Sequence, residues 1–219
     1  MHAAFDTHRF MSIDVVAGPG VLVPRAETEL LGRTALTLVA GIAAPLVIDM
    51  CCGSGNLGLA IADARADARV FLSDLTDETT AQALDNARRL GLDERVTIGQ
   101  GDMFAGLAES LGGQLAALIV CNPPYISTGK LAGESAHLLE SEPREAFDAG
   151  AYGIAIHQRL IADAPTYLKP GGWLAFEFGA GQERQVSMLL RRAGAFGPIT
   201  LVDNDECEPR VAYAQLLPR

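Results

Sequence analysis

The order of apolar segments along the chain constrains its fold more than any other feature. Short runs of strand character alternate with stretches whose apolar residues recur at helical spacing. The strand candidates are Leu46–Met50, Val70–Ser73, Val96–Ile98, Leu115–Cys121, Trp173–Phe178, Ile199–Val202 and Val211–Leu216. Helix candidates are Ala26–Ala40, Leu57–Ala64, Glu78–Leu90, Phe104–Leu111, Gly153–Leu168 and Gln182–Ala193. Such alternation predicts an α/β fold: a seven-stranded, mostly parallel sheet with helices on both faces. Only a short loop divides the last two strand candidates. They are expected to pair antiparallel at the sheet edge, with the last strand reversed.

At 219 residues the chain is read as one main domain over residues 26–219. Residues 1–25 are read as an N-terminal extension with short β pieces at Met11–Val16 and Val21–Val23, split by Gly18-Pro19-Gly20. Hydrophobic content of 49% and charged content of 20% fit a soluble globular protein. No apolar stretch is long enough to cross a bilayer uninterrupted, and the first residues lack the pattern of a signal peptide. The cysteines are Cys51, Cys52, Cys121 and Cys207, without zinc-ligand spacing, so reduced thiols in the cytoplasm are expected. A net charge of −10 disfavours general binding to nucleic acid.

The first core strand runs into Asp49-Met50-Cys51-Cys52-Gly53-Ser54-Gly55-Asn56 and then a helix. Gly53 and Gly55 allow a sharp turn and close approach of a ligand to the backbone. The helix start offers unpaired N–H groups, but the Gly-Lys-Ser/Thr ending of a phosphate loop is missing. The second strand ends in Asp74-Leu75, placing an acid where ribose hydroxyls can be bound. After the third comes Gly101-Asp102-Met103, where Asp102 can accept from an adenine amino group and Met103 can pack on the ring. The fourth strand leads into Asn122-Pro123-Pro124-Tyr125. The Asn oxygen and the Pro123 carbonyl can each accept one hydrogen of a planar –NH2 group. The prolines stiffen the turn, and Tyr125 offers a flat face for stacking. These four residues are the catalytic candidates.

Less was expected of other residues. Cys51 and Cys52 read as small packing residues, and the histidines (His2, His8, His137, His157) as surface or structural groups. Glu140, Glu142, Arg144, Glu145 and Asp148 read as a solvated loop that can still cover a substrate. Trp173 reads as core, and Gly171-Gly172 as the turn into its strand.

With these residues in place, the chain resembles the HemK/PrmC family of class I S-adenosylmethionine (SAM) methyltransferases, whose fold is Rossmann-like. The likeness runs from Val21–Glu29 through Asp49–Gly55, Asp74, Asp85-Asn86-Ala87, Gly101–Phe104 and Asn122–Ile126. It continues through Glu142–Ala146, Leu168–Gly172 and Glu177-Phe178-Gly179. The resemblance implies that SAM is held by Asp49, Cys51, Cys52, Gly53, Ser54, Gly55, Asn56, Asp74, Leu75, Asp102, Met103 and Asn122. It also implies that Asn122–Tyr125 hold the methyl acceptor, a glutamine side-chain amide of a peptide-chain release factor. Two departures stand out. Cys51-Cys52 replace the family's usual Gly and small residue. Only about 25 residues precede the Pro-Arg-x-x-Thr-Glu segment, where bacterial members carry a helical domain, so a partner subunit is one expectation. Competing readings are a small-molecule N-methyltransferase, a nucleic-acid adenine methyltransferase, and a non-catalytic SAM-binding subunit.

Overall fold

The computed structural model describes residues 5–133, 135, 139 and 142–218; His2, His137 and Glu140 lie outside them. The chain opens with an antiparallel hairpin, β1 (Asp6–Phe10) and β2 (Ile13–Ala17). The piece expected at Met11–Val16 is thus β2, with an unforeseen partner before it. Val21–Val23 is not a strand: Gly20 turns the chain at φ 79°, and the Val23 N–H donates to a Glu142 carboxylate oxygen instead of a neighbouring strand.

A 3₁₀ turn, Ala26–Thr28, leads into α1 (Glu29–Val39). Then follow β3 (Leu46–Met50), α2 (Asn56–Ala64), β4 (Arg69–Asp74), α3 (Asp77–Arg89) and β5 (Val96–Gln100). A 3₁₀ turn (Met103–Leu107) and α4 (Ala108–Leu111) precede β6 (Ala116–Cys121). After α5 (Thr128–Ala132) come α6 (Ala155–Tyr167), β7 (Leu168–Glu177), α7 (Glu183–Ala193), β8 (Phe196–Asp203) and β9 (Pro209–Leu216). Two expectations need correction. The helix expected at Phe104–Leu111 begins as a 3₁₀ turn because it packs backbone to backbone on β5: a Cβ at Gly99 would lie 1.9 Å from the Gly106 carbonyl oxygen. Gly171-Gly172 lies inside β7, at a register shift against β6, not ahead of the strand.

The main sheet has seven strands in the order β5-β4-β3-β6-β7-β9-β8. Pairs from β5 to β7 are parallel. The last strand, β9, inserts between β7 and β8 and runs antiparallel to both. Side-chain alternation along each strand feeds two cores. Val47, Leu118 and Val120 face α1, α2, α3 and the hairpin, whereas Ile48, Ile119 and Phe176 face α6 and α7. Phe10, Ile13 and Val15 join the first core, so the hairpin shares apolar burial with the sheet.

Asn86 on α3 ties that hairpin to the glycine loop. Its Oδ1 accepts from Val16 N (2.9 Å), and its Nδ2 donates to the carbonyls of Val16 (2.8 Å) and Ser54 (2.9 Å). The side chain is buried. Asn86→Ala would leave these backbone groups unpaired, each worth ~1–3 kcal/mol. A loss on the order of 2–4 kcal/mol in chemical denaturation is expected. An unchanged midpoint would show that water replaces the staple without cost.

Candidate active site

Strand register sets the site. Met50 on β3 pairs with Ser73 on β4 and Cys121 on β6, so the next residues, Cys51, Asp74 and Asn122, emerge side by side. The strand order also reverses here, with β4 and β5 on one side of β3 and β6 and β7 on the other. Open α/β sheets bind ligands at such a switch point. A cavity of about 920 Å³ lies above it, lined by Cys51, Gly53, Asp74, Leu75, Asp102, Met103, Asn122 and Pro124. That volume suits a nucleoside-sized ligand together with part of a second molecule. A side pocket of about 30 Å³ is lined by Thr28, Asp49, Cys52, Asn56 and again Asn122. Ser54, Gly55, Pro123 and Tyr125 line neither space.

The glycine loop is shaped by two acids. Asp74 accepts from Gly53 N (2.7 Å) through Oδ2 and from Leu75 N (2.7 Å) through Oδ1. An ionised carboxylate has about four acceptor positions, so it can still receive ligand hydroxyls. Asp49 is buried beneath the loop, and its Oδ2 accepts from Gly58 N at 2.8 Å. Position 58 needs glycine, since a Cβ would lie 2.9 Å from that oxygen. Burial pushes the Asp49 carboxyl up to about 8; the Gly58 bond opposes this and the Asp74 charge adds to it. Gly55 caps α2 at φ 80°, packed against Leu59, Leu72 and Ala83. The buried Ser54 supplies the carbonyl that Asn86 holds.

Cys51 adopts φ 56°, a left-handed conformation that glycine takes at no steric cost. Burial pushes the Cys52 and Cys121 thiols well up, in line with packing roles. Met103 also has positive φ (55°), and its carbonyl accepts from Ser73 Oγ (3.1 Å). Asp102 is mostly exposed and paired with Arg159 on α6 at 2.9 Å.

Asn122 is held in one orientation. Its Nδ2 donates to Thr28 Oγ1 at 2.9 Å. Among the described residues nothing donates to its Oδ1 or to the Pro123 carbonyl, so both acceptors of the expected clamp are free. The Tyr125 ring does not line the cavity; its hydroxyl donates to Glu177 Oε1 (3.1 Å), and its carbonyl accepts from Gln182 Nε2 (2.9 Å). Burial first, then the Glu177 charge, push the phenol up. His157 is buried, packs edge-on against Phe176 and donates through Nε2 to the Glu177 carbonyl (2.8 Å). Burial lowers it to about 4, so it stays neutral.

The loop after the clamp is not simply solvated. The Glu142 side chain is only 6% exposed; it accepts from Val23 N (2.8 Å) and is ion-paired with Arg25. Asp148 accepts from Thr128 Oγ1 (2.7 Å) and Gly150 N (3.0 Å) and pairs with Arg144. Pro143–Ala146 and Asp148 thus line the cavity together with Pro19, Gly20 and Leu22. Thr28, Glu177 and Gln182 were missed as site residues. Thr28 and Glu177 did lie in segments of family likeness, Val21–Glu29 and Glu177–Gly179, and Glu177 is also an acid ending the apolar run Leu174-Ala175-Phe176.

A sheet of this order with a reversed last strand, carrying an acid-shaped glycine loop beside an Asn-Pro-Pro-Tyr turn, defines a class I methyltransferase. The methyltransferase small domain model matches residues 30–151. The release factor glutamine methyltransferase of Moorella thermoacetica is 40% identical over 85% of this chain and 64% of its own length. That of Xylella fastidiosa strain 9a5c is 37% identical, covering 89% of this chain and 68% of the relative. A solved release factor-specific protein-(glutamine-N5) methyltransferase from Alicyclobacillus acidocaldarius has the same fold: TM-score 0.56, 24% identity, 92% of this chain and 99% of that one. The chain belongs to the HemK/PrmC family, and it spans about two thirds of the length of the curated relatives it matches. No helix of the described residues is long and apolar enough to cross a membrane.

The buried Asp49 gives a pH signature. Between its ordinary 3.8 and about 8, the folded chain keeps a proton that the unfolded chain releases. Stability from this group therefore falls as pH rises through that window. Asp49→Asn keeps an acceptor for Gly58 and removes the titration. Its melting temperature should decline less than the wild type's as pH rises from about 5 to about 8. Parallel curves would show that Asp49 does not hold the proton.

Proposed function

We propose that this chain is a SAM-dependent N-methyltransferase whose acceptor is a glutamine side-chain amide in a peptide-chain release factor. The observation that carries the reading is the state of Asn122. At the switch point, with Nδ2 tied to Thr28, it leaves Oδ1 free beside the free Pro123 carbonyl. Two fixed acceptors on a proline-stiffened turn match the two N–H groups of a primary amide. Family membership supplies the acceptor class, since the relatives are named release factor glutamine methyltransferases.

The residues fit SAM by their chemistry. Asp74 keeps acceptor positions for ribose hydroxyls, and Asp102 lies on the same wall for the adenine amino group. Leu75 and Met103 supply apolar contact. Cys51 and Gly53 shape the wall, while Asp49, Cys52, Ser54, Gly55 and Asn56 hold the loop from below. When bound, SAM supplies a methyl group already activated by its sulfonium. The chain's own work is orientation: Asn122 and Pro123 hold both hydrogens and aim the nitrogen, which can be worth roughly 7–11 kcal/mol in ideal intramolecular cases. Held by these residues, SAM would supply the methyl group to the amide nitrogen, and the amide proton would leave to water. The same acceptors stabilise the positive charge that develops on nitrogen. Pro124 walls the cavity, and Tyr125 braces the turn from behind through Glu177. A release-factor acceptor would be met in the cytoplasm, the compartment this reading implies. A partner subunit would add to the grip on the release factor.

Purified protein, SAM and release factor should yield one added methyl on the release factor's catalytic-loop glutamine, read by peptide mass spectrometry. Asn122→Ala should lower turnover by about 10²-fold with little change in melting temperature. Methylation of a small amide or amine while that glutamine stays unmodified would move the acceptor and keep the chemistry.

Calorimetry tests the cofactor site. Asp74→Ala should weaken SAM binding by ~1.5–3 kcal/mol for each charged hydrogen bond lost. Equal affinity in both proteins would remove the ribose from Asp74.

A further inference from the structure

A proline carries no backbone N–H. The turn that would hold the acceptor has two in succession, Pro123 and Pro124, so its middle peptide groups have no donors of their own to tie them down. Its geometry must be set at its two ends. The upstream end is fixed by β6 and by the bond from Asn122 Nδ2 to Thr28 Oγ1. The downstream end is Tyr125, whose hydroxyl donates to Glu177 Oε1 at 3.1 Å. That bond acts at the tip of a rotatable side chain, so the main chain of Tyr125 needs a hold of its own.

Gln182, the residue just before α7, supplies it. Its Nε2 donates to the Tyr125 carbonyl (2.9 Å) and the Gly153 carbonyl (3.2 Å), and its Oε1 accepts from Gly179 N (2.9 Å). The partners fix the orientation of this amide, because main-chain carbonyls only accept and a main-chain N–H only donates. Only the side-chain amides give two hydrogens and accept on one planar group. The space around it is equally specific. Gly153 has φ 70°, and a Cβ there would lie 2.5 Å from Tyr125 O. A Cβ at Gly179 would lie 3.0 Å from Gln182 Oε1 and 3.1 Å from Tyr125 Cδ2. Segments after β6, before α6 and after β7 thus meet on one side chain, which does not line the cavity. The Ile126 N–H meanwhile donates to the Phe147 carbonyl at 2.9 Å. The Tyr125–Ile126 peptide group is therefore held at both ends, its oxygen by Gln182 and its N–H by Phe147.

We propose that Gln182 is a positioning residue for methyl transfer. By fixing the Tyr125–Ile126 peptide group, it holds the Pro123 carbonyl and Asn122 Oδ1 at the separation that both hydrogens of an acceptor –NH2 group require. The proposal rests on the methyltransferase reading above and extends its machinery to a residue outside the cavity. Without the two Gln182 donors, the Pro123 carbonyl can drift against Asn122, while the cofactor wall on β3 and β4 stays in place.

The test compares Gln182→Glu and Gln182→Met with the wild type, in the full chain with SAM and release factor. Assays run at about pH 8, well above the ordinary glutamate value. An ionised glutamate keeps an oxygen for Gly179 N but has no hydrogen for the two carbonyls. Gln182→Glu should lower kcat by about tenfold to a hundredfold, the range that a small misplacement of reacting groups costs. SAM affinity by calorimetry should stay within about twofold, and full binding stoichiometry would show that the variant is folded. Gln182→Met, which also loses the Gly179 bond, should melt lower than Gln182→Glu yet show a similar kcat per SAM-binding site. A role in folding alone would lower the melting temperature and leave kcat per binding site unchanged. Wild-type kcat in Gln182→Glu, or equal losses of SAM affinity and kcat, would overturn the proposal.

A second measurement needs neither turnover nor acceptor. In ¹⁵N-labelled protein the Gln182 side-chain NH2 signals are assigned by their loss in Gln182→Glu. Both protons should exchange slowly with solvent, and the backbone amide signal of Ile126 should shift in Gln182→Glu. Exchange as fast as that of a free side chain, with Ile126 unmoved, would also overturn the proposal. If the signals behave as expected while wild-type protein leaves release factor unmodified, the hold on the turn stands and the acceptor assignment falls.

Discussion

The whole site depends on the register of three adjacent strands. Because β4, β3 and β6 end level, residues more than 70 positions apart in sequence, Cys51 and Asn122, leave the sheet as neighbours, with Asp74 beside them. No side chain has to reach across a gap to complete the constellation. The register is itself fixed by alternation: a slip of one residue on β6 would turn Leu118 and Val120 away from α1 and α2 and expose the wrong face of the strand to each core. Apolar packing on both faces thus positions polar chemistry at the edge.

That precision carries a local strain. Cys51 and Met103, both non-glycine, both line the cavity and both hold positive φ. Such conformations cost of order 1 kcal/mol or more and persist where the surroundings over-determine them. The surroundings here are specific: Cys52 N donates to the Ser73 carbonyl, and Ser73 Oγ donates to the Met103 carbonyl. Ser73 therefore ties Met103 directly, and Cys51 through its neighbour Cys52, to β4. The cysteine at 51 holds its positive φ beside Cys52, whose N–H is fixed to β4.

Much of the fold was legible because its signal is local. Each core strand is an apolar run between turn residues, and Leu46–Met50 matches β3 to the residue. Where the outcome rests on distant partners, sequence reasoning fell short. Val21–Val23 has strand composition, but its N–H finds Glu142 rather than a ladder. Glu142 looks like one more loop acid until Arg25 and Val23, more than 115 residues earlier, are seen to enclose it. Glycine spacing gave the loop, yet it could not say that Asn86 in the middle of α3 holds it. The clamp shows the same divide. Asn122 and its prolines could be read from their own chemistry. The use made of Tyr125, by its hydroxyl rather than its face, needed Glu177 from another strand.

The lining of the cavity follows from the same long-range economy. Burying a charged pair is costly unless each partner gains further hydrogen bonds. Glu142 meets that condition, since one oxygen takes the Val23 N–H and the other the Arg25 guanidinium, itself partly exposed. The pair thereby joins the segment before α1 to the loop after the clamp, both of which contribute residues to the cavity lining. Thr28, three residues beyond Arg25, is drawn to Asn122 by the same approach. The short stretch from Arg25 to Thr28 therefore holds both the loop after the clamp, through Glu142, and the clamp itself, through Asn122.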